Sequence, residues 1–80
     1  MLDNGVLSIM STYIEKFLNQ DVPAKKFVSS IFANRDNNFR IQANEIFEEL
    51  EKIKNSNQNN DQKSKQIEKI SEKLYVLLSK

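Results

Sequence analysis

Cysteine and histidine are both missing from this chain of 80 residues, and glycine and proline occur once each. Without cysteine there are no disulfide staples, no thiolate nucleophiles and no thiolate zinc ligands. Without histidine there is no imidazole for acid–base catalysis. So few breakers predict long helices with short connections. No stretch approaches the roughly 18 apolar residues that a membrane-spanning helix needs. Residues 1–13 lack the basic start and the long apolar run of a secretory leader. An excess of charge of one sign is lacking too, since 12 basic residues face 11 acidic ones. A nucleic-acid binder usually carries a basic excess or stripe. These absences predict a soluble, cytoplasmic protein that is not an enzyme, holds no cofactor or metal, and does not bind nucleic acid or membrane.

A chain this short makes one domain, residues 1–80, and buries roughly 60–65% of its unfolded surface. Its stability is marginal, so without staples it needs well-packed helices or an oligomeric partner.

Apolar residues recur at steps of three and four along four segments. Val6, Leu7, Met10, Tyr13, Ile14, Phe17 and Leu18 mark a helix over about 5–19, with Asp3 or Asn4 able to accept from its free N–H groups. Ala24, Phe27, Val28, Ile31 and Phe32 mark a second over about 22–33, capped by Asp21, with Pro23 in a first turn that does not need its missing N–H. The polar stretch Asn34 to Asn38 suits a turn. Phe39, Ala43, Ile46, Phe47, Leu50 and Ile53 mark a third helix over about 39–54. Residues 55–62 hold no apolar side chain and read as a loop. Ile67, Ile70, Leu74, Leu77 and Leu78 mark a fourth helix over about 62–79. No alternation of strand type competes. The expected fold is all-α, a small antiparallel four-helix bundle, with Tyr13 and Tyr75 at the core edge and their hydroxyls wet.

Two apolar residues fall off these stripes. Ile41 points away from the core unless the third helix starts after it, and Val76 lies opposite the stripe of the fourth. Both are candidate contacts to a second chain.

The third helix is acidic outside, at Glu45, Glu48, Glu49 and Glu51. Glu45 suits the start of a helix dipole, while Glu45 and Glu49 repel each other at i, i+4. Glu48 has the favourable spacing to pair with Lys52. Such an array is either a solvated outer face or a surface complementary to a basic protein. Catalysis by paired acids needs a cleft that separates their pKa values, and one convex helix supplies none. No segment has the alternating oxygen ligands of a calcium loop. Lys63, Lys65, Lys69 and Lys73 alternate with Glu68 and Glu72, as on an ordinary mixed-charge face. Arg35 and Arg40 flank the polar turn and suit either solubility or an anionic contact. A helix-turn-helix built from the second and third helices fails on charge, because an acidic recognition helix repels the duplex.

Residues 13–27, YIEKFLNQDVPAKKF, and the later Ile46-Phe47-Glu48-Glu49-Leu50 carry a family resemblance. They are similar to the bacterial self-protective colicin-type immunity proteins, of the colicin D immunity kind. Those open with a helix ending in Phe-Leu, a short polar turn and a restart with Phe at this offset, and carry an aromatic–acidic–leucine pattern in the third helix. The likeness covers about residues 11–53, and Pro23 stands where the family usually has a small polar cap. The resemblance implies a helical bundle that binds a cognate protein toxin, often a nuclease such as a tRNase, and blocks its basic cleft with acidic side chains. On this chain that role would fall to Glu45, Glu48, Glu49 and Glu51. The alternative is a small regulatory or structural protein, phage- or plasmid-borne, that forms a homodimer through Ile41 and Val76.

Overall fold

The computed structural model describes residues 3–80, which form four helices and no strand. They are α1 (Asn4–Asn19), α2 (Ala24–Ile31), α3 (Asn37–Lys54) and α4 (Asn60–Leu78). Each bound falls within two residues of the one that the apolar period implies. The differences trace to caps. Asp36 accepts from Phe39 N at 2.8 Å and Asn59 from Gln62 N at 2.9 Å, so α3 and α4 each begin earlier than their first apolar residue. Asp3 caps α1, its Oδ1 accepting from Gly5 N and Val6 N at 2.9 and 3.3 Å.

The start of α2 departs from expectation. Asp21 does not cap it; Pro23 occupies the cap position and has no side-chain acceptor to offer. The acceptor comes from α3, where Glu51 Oε1 takes the Ala24 N–H at 2.9 Å. One turn further, Lys54 Nζ donates to the carbonyls of Gln20 and Phe17 at the end of α1. A carboxylate thus meets the positive end of α2 and an ammonium the negative end of α1, both in the sense that the helix dipoles favour. The α1–α2 joint is held from outside by the last turn of α3.

The helices run antiparallel. Tyr13 and Phe17 of α1 meet Phe32, which caps the end of α2, and Phe27 of α2 at 5.2 and 5.0 Å between ring centres. Phe27 and Phe32 reach Phe47 and Phe39 of α3 at 5.2 and 5.0 Å. Glu49 of α3 lies 3.0 Å from Lys73 of α4. The contact of α1 with α2 is made through Tyr13 and Phe17, while its backbone runs closer to that of α4. At that seam Asp3 N donates to the Tyr75 hydroxyl at 2.8 Å, so this hydroxyl is tied to the start of α1 rather than simply wet.

All five phenylalanines share one core, with Phe17, Phe47, Leu50 and Leu74 fully buried, and among the described residues no polar or charged residue is buried. At 35 × 32 × 18 Å the Cα envelope is a slab. A slab this thin leaves much of each helix in contact with solvent. Among the described residues no helix is long and apolar enough to cross a membrane.

Candidate functional site

The phase of α3 is set by its inward row, Phe39, Ala43, Ile46, Phe47 and Leu50. With 3.6 residues per turn, Ile41, Glu45, Glu48 and Lys52 fall on the opposite row, and all four are exposed. Ile41 is the most exposed large hydrophobic side chain among the described residues, at 61%. The helix starts at Asn37, so Ile41 sits within it and faces water.

The four carboxylates expected to act together are divided by this geometry. Glu45 and Glu48 look outward beside Ile41. Glu48 accepts from Asn44 Nδ2 at 3.0 Å, in place of the expected pair with Lys52. Glu49 turns toward α4 and makes the sole ion pair among the described residues, with Lys73. Glu51 turns toward α2, half-buried, and is used as the cap on Ala24. The outward row therefore runs from Ile41 through two carboxylates to the cation of Lys52, narrower than a row of four carboxylates.

Val76 is 56% exposed and lines a groove between α3 and α4 with Gln42, Glu45 and Lys80. Ile41 lines a different groove, between α2 and α3. The two off-stripe residues thus border separate depressions on either side of α3. A third exposed hydrophobic, Ile9 at 49%, was not singled out by the periodicity. It borders a groove at the start of α1 with Val6, Tyr13, Ile31 and Leu78. Its signal lay in its offsets, three from Val6 and four from Tyr13, which put it at the margin of the α1 stripe.

No group of three or more His, Cys, Asp or Glu side chains among the described residues is placed to hold a metal ion. The grooves are open and shallow, and the α3–α4 groove floored by Ile53 and Ile70 reaches about 420 Å³. Lys52, Lys69 and Lys73 edge it, with Lys73 already committed to Glu49. Surfaces of this kind take up a protein side by side contact more readily than a small molecule, which needs concave enclosure.

No protein-family model, curated protein or solved structure matches the chain. The likeness to immunity proteins rests on the residues themselves, and Phe17, Phe27, Phe47 and Leu50 in it are core residues. Packing alone accounts for them.

Proposed function

We propose that this chain is a protein-binding inhibitor of the bacteriocin-immunity type, which acts in the bacterial cytoplasm by stoichiometric occlusion of a cognate toxin. The observation that carries this reading is the outer face of α3. There Ile41, 61% exposed on a rigid helix, stands beside the exposed carboxylates of Glu45 and Glu48. An apolar anchor with a charged rim is the usual make-up of a protein-binding centre. The negative rim favours a basic cleft, such as that of a nuclease, and speeds encounter with it. Glu49 and Glu51 are assigned supporting roles, since both are engaged within the bundle.

The test is co-expression with the product of the reading frame adjacent to its gene. A 1:1 complex that abolishes that product's toxicity supports the reading. An adjacent product that is not toxic, or that ignores this chain, defeats it.

A second reading, self-association, draws on the joint exposure of Ile41 and Val76, at 61% and 56%. Sedimentation equilibrium separates the two. A concentration-dependent dimer that Ile41→Asp or Val76→Asp disperses favours self-association, and a monomer at all concentrations rules it out.

A further inference from the structure

The only glycine of the chain follows an asparagine, as Asn4-Gly5 at the start of α1. Every other asparagine precedes a residue that carries a Cβ. The missing Cβ has a structural use. One built on residue 5 would lie 3.2 Å from Asp3 Oδ1, closer than ordinary van der Waals contact, so glycine gives the capping carboxylate its room. It also leaves the Gly5 nitrogen unshielded. That nitrogen is among the first four of the helix, which have no partner inside it. Its partner is Asp3 Oδ1, at 2.9 Å. Asn4 and Gly5 are both exposed, so water reaches them.

We propose that Asn4 is a site of spontaneous deamidation, held in check by the Asp3 cap. The reaction needs only water. The Gly5 backbone nitrogen, having given its proton to water or hydroxide, attacks Asn4 Cγ. A bond forms between them, the bond from Cγ to Nδ2 breaks, and Nδ2 leaves as ammonia with a proton taken from water. Water then opens the five-membered imide. Attack at Cγ gives aspartate, and attack at the backbone carbonyl of residue 4 gives isoaspartate, with the chain routed through Cβ and Cγ. Nothing is oxidised or reduced. The fold opposes the first step in two ways. The Gly5 proton is held by a carboxylate, beside which a nitrogen anion is disfavoured by like charge. Residue 4 also lies within α1, and that turn must open before the nitrogen can swing onto Cγ.

The two products differ in consequence. Aspartate at residue 4 adds a negative charge to the first turn of α1, where the helix dipole favours it. Isoaspartate adds one atom to the backbone between Asp3 and Gly5. Asp3 is pinned on both sides, its Oδ1 by the Gly5 N–H and its own N–H by the Tyr75 hydroxyl of α4 at 2.8 Å. A lengthened backbone cannot keep both contacts, so the isoaspartyl form loosens the seam between α1 and α4. None of this depends on the inhibitor reading, since no residue on the outer row of α3 takes part.

The test incubates the purified chain at mildly alkaline pH, with and without denaturing urea, and follows conversion of Asn4 by peptide mapping and mass spectrometry. In urea, Asn4 is expected to convert before every other asparagine, and Gly5→Ala to slow it, because a Cβ crowds the attacking nitrogen. In native buffer, Asp3→Ala is expected to convert about fivefold faster than wild type, the factor that loss of a cap gives to opening of the first turn. Asp3→Ser, which keeps an acceptor, should recover most of the protection. In urea the wild type and both Asp3 variants should share one rate, which separates the fold from any effect of the neighbouring side chain. An Asp3→Ala rate no higher than wild type in native buffer overturns the proposal. So does the same rate difference persisting in urea, or earlier conversion there of Asn55 or Asn57. Hydrogen exchange should be faster at the start of α1 and around Tyr75 in the isoaspartyl form than in the aspartyl form. Equal exchange in the two forms overturns the loosened seam.

Discussion

Phe47 is fully buried and its ring lies 5.4, 5.2 and 6.4 Å from those of Phe17, Phe27 and Phe32. It therefore joins α1, α2 and α3 at one point. Truncation removes that area and leaves a cavity, so Phe47→Ala is expected to cost about 3–5 kcal/mol. A domain of this size holds only some 4–12 kcal/mol in all, at typical values per residue. Urea titration should find the midpoint sharply lowered or the cooperative transition lost. Lys73→Ala is the contrasting case. Its ion pair with Glu49 is half-exposed on both sides, with side-chain exposures of 57% and 48%. Such pairs contribute about 1 kcal/mol or less, so the same titration should barely move. Burial of Phe17, Phe27, Phe32, Phe39 and Phe47 was legible from spacing because large apolar residues one or two turns apart have no other place to go. The hydroxyl of Tyr75 was not, since its partner Asp3 is 72 positions away in sequence.

At the scale of elements, α2 is the revealing one. Eight residues are too few to hold a helix alone, and its cap residue is a proline without an acceptor. Its first turn depends on Glu51 of α3. Glu51→Ala should lower stability by about 1 kcal/mol, as loss of a cap does. Hydrogen exchange should quicken at residues 24–27 while the amides of α4 stay protected, and Glu51→Gln, which keeps an acceptor oxygen, should recover part of the loss. Equal exchange in wild type and Glu51→Ala would deny the cap. The existence and extent of all four helices could be read from the chain, because helical period is local. The neighbour of each helix could not. Short loops suggest that α1 returns beside α2, and it does so through Tyr13 and Phe17, yet its backbone runs closer to α4. The roles of Glu51 and Lys54 were hidden for the same reason. On the helix surface they read as ordinary charges, and only the approach of the α1–α2 joint gives them their partners.

For the whole molecule, α3 is the organising helix. It packs on α2 and α4, holds the α1–α2 joint through Glu51 and Lys54, and leaves one row exposed. Of the candidate site, the exposure of Ile41 and the acidity of α3 were legible from the sequence. The division of its carboxylates was not, because Lys73 and Ala24 come from other helices. The central claim of the proposed function is that Ile41, Glu45 and Glu48 on the outer row of α3 make the contact with the partner. It is tested most directly by titrating the product of the adjacent reading frame, should that product prove toxic, in a calorimeter, with wild type and with Ile41→Asp/Glu45→Lys/Glu48→Lys. The account predicts that the variant melts within a few degrees of wild type, since all three side chains are exposed, and binds at least about a hundredfold more weakly, as loss of a contact centre does. Binding of undiminished affinity by a folded variant would contradict it.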